Sequence, residues 1–201
     1  VTLASGEYSP SNHVILAVGH SARDTFEMLH HAGVYIEPKP FSIGFRIQHP
    51  QHLIDIARLG RYAGNPQLGA ADYKLVHHAS NGRPVYSFCM CPGGTVVAAT
   101  SEEGRVVTNG MSQYSRNERN ANAGIVVGLT PQDYRQDGQH DGAVSPLDGM
   151  AFQRFWESRA YVLGGGGYLA PGQLLGDFIR GQPSSALGNV LPSYKPGLAM
   201  T

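Results

Sequence analysis

The stretch YKLVHHAS-NG-RPVYSFCM, residues 73–90, constrains the fold more than any other. Asn81-Gly82 separates two runs rich in β-branched and aromatic residues. An Asn-Gly pair in that setting tolerates positive φ at both central positions, so the spacing predicts a type I′ hairpin. The middle of the chain is thereby committed to antiparallel pairing.

Other runs extend that sheet. FSIGFRIQ (41–48) alternates, with Phe41, Ile43, Phe45 and Ile47 on one side and Ser42, Gly44, Arg46 and Gln48 on the other. Such a period is a half-buried strand. TVVAAT and RVVTNG make a second pair around Glu103-Gly104, and AGIVVGL (123–129) reads as a buried strand. At the N-terminus, VTLASGE (1–7) and HVILAVG (13–19) read as two strands, the second continuously apolar and so buried.

Helices are marked by their ends. SARDTFEMLHHAG opens on Ser21 as N-cap and stops at Gly33. His49-Pro50 starts a short helix carrying Leu53, Ile54, Ile56 and Ala57, and GRYAGNPQLGAAD (60–72) after it is loop-like. After a loose stretch at 132–143, Ser145-Pro146 opens the longest helix, with Ser145 capping and Asp148 supporting the dipole. Gly164 to Gly167 ends it and reads as a linker. Pro171 begins a last helix through Phe178 and Ile179, stopped by Gly181. The fold class is α+β, a mainly antiparallel β-sheet with hairpins plus several short helices.

Charge excludes some functions. Fifteen acidic residues balance fifteen basic ones among 201, leaving no electrostatic reason to expect nucleic acid or an anionic membrane as partner. No apolar run approaches the roughly 20 residues of a membrane helix, and no basic segment precedes an apolar one at the N-terminus, so no signal peptide is expected. Two cysteines make no disulfide framework, and a cytoplasmic location is the expectation. The start at Val1 and the close in LPSYKPGLAMT, a loop with no closing element, predict a segment of a longer protein.

Three stretches carry candidate chemistry. Cys89 and Cys91, in FCMCPGG, would share one face of a strand. They are weak catalytic candidates, and the readings open are a redox pair, half of a metal site completed by His77 or His78, or two packed thiols. A zinc site needs about four ligands and no second cysteine pair exists, so no metal ligand is assigned. Pro92, Gly93 and Gly94 follow directly, and two glycines after a strand allow a ligand close approach or expose backbone N–H groups. Gly19, His20 and Ser21, between an apolar run and a helix, form half of an anion site; without G-x-G-x-x-G this is no primary dinucleotide fingerprint. The polar stretch NGMSQYSRNERNANAG supplies Asn109, Arg116, Asn117 and Arg119, residue types suited to a carboxylate, phosphate or flavin edge.

V-T-L-A-S-G-E with H-V-I-L-A-V-G-H-S-A-R-D-T-F, then F-S-I-G-F-R-I-Q-H-P-Q, A-A-D-Y-K-L-V-H-H, S-F-C-M-C-P-G-G-T-V-V-A-A-T-S and V-T-N-G-M-S-Q-Y-S-R-N-E-R-N-A-N-A-G-I-V-V, resemble long motifs of the bacterial FAD-dependent dehydrogenase-like flavoproteins. The resemblance covers nearly the whole chain, in order. It implies an oxidoreductase whose FAD sits mainly in a Rossmann-like domain absent here. Residues 1–34 would then be a strip of that FAD domain and 35–201 a substrate-side, insertion-type domain, inactive alone, whose partners are the missing FAD domain of the same protein and a small-molecule substrate. Gly19, His20, Ser21 and the Pro92–Gly94 turn would face the cofactor; Asn109, Arg116, Asn117 and Arg119 would face the substrate. The competing expectation is a non-catalytic binding module with a small Cys/His metal site.

Overall fold

A computed structural model describes residues 1–134 and 144–198. The chain divides into two units, Val1–Ile36 and Glu37–Thr201, each described by itself.

The first unit contains one helix, α1 (Arg23–His31). Ala22, not Ser21, occupies its N-cap, with no side-chain cap bond, and Gly33 closes it with φ 79°. The two expected strands do not form. Only the bridge Thr2–Tyr8 is made, and the apolar run is exposed, Ile15 to 93%. Strand backbone needs a neighbouring strand for its N–H and C=O groups, and this unit offers no ladder to residues 13–19.

In the second unit the antiparallel expectation holds. The main sheet runs β1 (Phe41–Pro50), β6 (Asn120–Leu129), β3 (Pro84–Cys91), β2 (Val76–His78) in spatial order, with β4 (Gly94–Ala98) and β5 (Thr108–Ser112) as a separate pair. The β2–β3 turn differs from the expected type. Ala79 and Arg83 still pair through the Ala79 N–H at 2.9 Å, and Gly82 N–H bonds Ala79 O at 2.8 Å. Of the loop residues only Gly82 has positive φ, at 80°. That is a three-residue loop ending in a left-handed glycine, the next most favoured hairpin closure.

β6 is central because its small residues let both neighbours close on it: Ala121 and Ala123 are fully buried. α2 (Gln51–Leu59) follows β1 directly. α3 (Asp148–Leu163) has Leu147, not Ser145, at its N-cap with no side-chain cap bond, and Pro146 lies in the turn before it. In that turn Ser145 Oγ accepts the Leu147 N–H at 3.3 Å and Asp148 Oδ2 accepts the Ser145 N–H at 2.9 Å. Phe152 of α3 packs on Phe41 and Tyr134, with ring centroids 6.2 and 6.4 Å away. Burial of those rings ties α3 to the start of β1. The alternation in β1 does not become uniform burial, since Phe45 is 73% exposed and edges against Phe178 at 5.5 Å.

The C-terminal segment departs from expectation in three places. Gly164–Gly167 is a tight reversal, with Gly165 and Gly166 donating to Val162 O and Tyr161 O at 3.0 Å each. Residues from Pro171 begin as β7 (Ala170–Gly172), and the helix, α4 (Leu175–Arg180), starts four residues later. Pro196–Leu198 is a strand, β8, paired parallel to β7. Both strands are short and glycine-bearing, and only the tertiary pairing makes them strands. The stretch at 132–143 lies mostly outside the described residues. Among the described residues no helix is long and apolar enough to cross a membrane.

Candidate functional site

The site is organised by one irregularity in β3. Phe88 pairs with Gly124 and Cys91 with Asn122, so Cys89 and Met90 together oppose Ala123. One extra residue on a strand is a β-bulge, and Cys89 occupies it with φ 48°. A left-handed residue with a Cβ costs roughly 1–2 kcal/mol. The bulge breaks the period of two on which a shared cysteine face rested. Cys89 is exposed and Cys91 buried. The Cys91 thiol folds back and donates to Cys89 O at 3.3 Å. Burial pushes the Cys91 thiol up, the Cys89 thiol beside it adds to that, and Arg46 opposes.

Arg46 is the centre of the polar face. It stands opposite Gly124, and Gln48 opposite Asn122, in the β1–β6 ladder. Arg46 and Asn122 therefore share a face. Arg46 Nη1 donates to Asn122 Oδ1 at 2.7 Å and Nη2 to Asn109 Oδ1 at 3.2 Å; Nη1 also lies 3.5 Å from Cys89 O. Asn122 is fully buried. Hydrogen bonds from a charged donor contribute about 1.5–3 kcal/mol each, enough to hold a guanidinium in one pose. Gly110 closes the cluster. A Cβ there would lie 2.2 Å from Asn122 Oδ1, 2.4 Å from Arg46 Nη1 and 2.8 Å from Cys91 Sγ. Asn122 Nδ2 has no hydrogen-bond partner among the described residues.

On the other face of β1 from Arg46, by the strand period, stands an imidazole–phenol pair. His49 Nε2 and the Tyr73 hydroxyl are 3.0 Å apart. Burial lowers the His49 pKa. Burial raises that of Tyr73, against the pull of Arg46. The neutral imidazole and neutral phenol are thus favoured. Chemically the cluster offers a positive hydrogen-bonding edge for a carboxylate or carbonyl oxygen, a group pair that can pass a proton, and an exposed thiol.

Pro92, Gly93 and Gly94 lie next to this cluster, buried. The Gly93 N–H donates to Gln51 Oε1 at 2.7 Å. Gln51 in turn donates to Asp55 Oδ1 at 2.8 Å and Ala71 O at 2.9 Å, and Ser112 Oγ donates to Pro92 O at 2.8 Å. Gly93 has φ 46°, and a Cβ on it would sit 1.9 Å from Arg116 O. The close approach read from the two glycines is thus an approach of the chain's own 113–119 loop. Of the loop residues, Asn109 joins Arg46; Arg116 and Asn117 are exposed; Arg119 Nη2 donates to Asn189 O at 2.6 Å. Asn120 and Asn122, expected in that loop, extend β6 and are buried. Gly19, His20 and Ser21 belong to the first unit, exposed, with Gly19 at φ 74° before α1.

Sequence reasoning missed Arg46, His49, Gln51, Tyr73 and Asn122. Asn120 and Asn122 did carry a signal, since two polar residues two apart continue the strand period into AGIVVGL. The histidines proposed as metal partners lie elsewhere: His77 pairs with Val85 and His78 with Pro84, about 13 Å or more along the strand from Cys89. Among the described residues no group of three or more His, Cys, Asp or Glu side chains is placed to hold a metal. A shallow groove of about 480 Å³ between Glu102, Glu103, Tyr168 and Tyr194 includes none of the nominated residues.

An uncharacterized protein of Clostridium beijerinckii (strain ATCC 51743 / NCIMB 8052) is 51% identical over 185 residues, which is 92% of this chain and 33% of the relative. The chain spans about a third of the length of that relative. A family described as FAD-dependent protein, C-terminal domain-like, matches residues 40–201, a range that begins near the start of the second unit. With four-fifths of its residues in that match, the chain belongs to the FAD-dependent protein, C-terminal domain-like family.

Proposed function

We propose that this chain is the substrate-side domain of an FAD-dependent oxidoreductase, with its FAD-binding domain supplied by the rest of the protein. The observation that carries the reading is the Arg46 guanidinium, held by Asn122 and Asn109 beside the Cys89 bulge. Family membership supports the flavin.

The residues present fit a partial contact with FAD. Gly19 has positive φ and leads to a helix whose N-cap residue, Ala22, makes no side-chain cap bond, although Asp24 Oδ1 accepts the Thr25 N–H at 2.9 Å. An anionic edge near Gly19, His20 and Ser21 would use the N–H groups ahead of Thr25. When bound, FAD would supply hydride or electron transfer. The chain's own groups do the rest. Arg46 and Asn109 orient an anionic or carbonyl-bearing substrate, and Arg116 and Asn117 add exposed contacts. Neutral His49 holds the Tyr73 hydroxyl through Nε2, keeping a proton available at that pair. Pro92–Gly94 acts as the buried brace that fixes this face, through Gln51 and Ser112.

The test uses the intact protein. Its absorption spectrum should be that of a flavin, and a screen of donors should find one that bleaches it. Arg46→Met should then raise KM or slow flavin reduction by about tenfold or more, the loss of one charge-assisted contact. A colourless protein, or an Arg46→Met variant reduced at the wild-type rate with unchanged KM, defeats the reading.

A further inference from the structure

The bulge at Cys89 does something the sheet does not need. A strand can carry a bulge with glycine in the left-handed position at no steric cost, yet this chain places a cysteine there, with φ 48° and its side chain exposed. Strained positions of this kind persist where the surroundings enforce them, and they cluster at functional sites. The second thiol is within reach. The Cys91 Sγ hydrogen-bonds the Cys89 carbonyl at 3.3 Å, and the Cys89 thiol acts on the Cys91 thiol electrostatically. Even a fully extended chain puts Cα atoms two residues apart no more than about 7 Å from each other, at the edge of the roughly 4.4–6.8 Å span that a disulfide bridges.

The surroundings of Cys91 hold a buried, protonated thiol within the influence of a cation. Arg46 Nη1, Asn122 Oδ1 and Cys91 Sγ converge on the space that Gly110 leaves open. Asn122, the register partner of Cys91, is fully buried and keeps its Nδ2 donor unspent. Burial and the Cys89 thiol outweigh the opposing Arg46 cation, so Cys91 rests as a thiol, as suits a partner that reacts only after Cys89 has been capped.

We propose that Cys89 and Cys91 are a reversible dithiol–disulfide pair, with Cys89 the entry thiol and Cys91 the resolving thiol. The oxidant is a small disulfide, R–S–S–R. The Cys89 thiolate attacks one of its sulfurs, which forms a mixed disulfide and expels one thiolate. Cys91 then gives up its proton to solvent, with Arg46 easing the charge on sulfur, and attacks the Cys89 sulfur. The Cys89–Cys91 bond forms, the second small thiolate leaves, and two protein thiols have been exchanged for two small-molecule thiols. The site rests on its own geometry and takes nothing from the flavin.

The experiment equilibrates the intact protein in glutathione buffers from fully reduced to fully oxidised, traps thiols with N-ethylmaleimide, and weighs the proteolytic fragment containing residues 88–97. The expected fragment carries two maleimides at the reduced end and none at the oxidised end, with the mass of an internal disulfide. Cys91→Ser, and Cys91→Ala as a second replacement at the buried position, should instead accumulate Cys89–glutathione, by about tenfold over wild type. Cys89→Ser, at an exposed position, should leave Cys91 reduced and unmodified throughout. Two maleimides across the whole series, or wild type that stops at the Cys89–glutathione adduct, overturns the proposal. Flavin content and reduction are read separately by absorbance, so either outcome on the thiols leaves the flavin reading to its own test.

Discussion

Gly110→Ala tests whether the Arg46 cluster is a packed device or an incidental surface contact. The added Cβ would meet Asn122 Oδ1 at 2.2 Å, Arg46 Nη1 at 2.4 Å and Cys91 Sγ at 2.8 Å. Ordinary contact lies near 3.5–4 Å, so each atom must retreat by about 1 Å or more. Arg46 has room to move; Asn122 is fully buried and has none. The methyl group therefore wedges into the 2.7 Å Arg46–Asn122 bond. Losing a charge-assisted hydrogen bond costs about 1.5–3 kcal/mol, and overpacking about 1–3 kcal/mol. Alanine's smaller unfolded-state entropy returns some 0.4–1 kcal/mol. The net expectation is a loss of roughly 2–5 kcal/mol by urea unfolding at unchanged m. Gly128→Ala is the control: it is a strand glycine of β6, in the four-stranded sheet, and its Cβ meets nothing within 4 Å, so its midpoint should barely move. In a cycle with Asn122→Ala, the Gly110→Ala penalty should shrink by at least ~1 kcal/mol, because the clashing atom is gone. Equal midpoints for Gly110→Ala and Gly128→Ala would refute the reasoning.

Two further outcomes follow from the same structure. Asp133 bonds Arg83 Nη1 at 2.9 Å and accepts the Thr130 N–H at 2.8 Å, and the Arg83 hydrogen bond, foremost, holds its carboxyl well below the usual range. A depressed carboxyl contributes stability above its unfolded pKa near 4 and loses it as pH falls towards the folded value. Wild type should therefore exceed Asp133→Asn in melting temperature at pH 7, with the gap closing below about pH 4; a pH-independent gap contradicts this. Cys89→Gly removes a left-handed Cβ at φ 48°, so thermal stability should stay within about 1 kcal/mol of wild type or rise. A larger loss would mean that the cysteine is there for the fold.

How much was legible depends on where each signal is stored. The strand over Phe41–Pro50, the paired runs either side of Asn81-Gly82, and the helix after Ser145-Pro146 were readable because alternation and caps are local. The loop closure at Gly82 was misjudged as two residues, since register across a hairpin belongs to both strands. Val14 to Val18 reads as buried strand from composition, yet it is exposed where no ladder reaches it. Within the site, Asn109 was nominated and stands on Arg46. Gln51 was passed over as an ordinary residue at a helix start, though it takes the Gly93 N–H.

The sequence by itself determined the class of this protein: an antiparallel α+β domain, in a chain whose motifs resemble FAD-dependent proteins. Those are properties of period, turn chemistry and residue order, which need no partner to be expressed. Tertiary structure alone decided the chemistry of FCMCPGG. Cys89 and Cys91 share a face in any regular strand; opposite Ala123 the chain carries one residue too many, and the surplus is taken up at Cys89. One thiol goes to the surface and the other goes beneath Gly110, against Arg46 and Asn122. Such a mismatch exists only between two strands, so no reading of either one alone contains it.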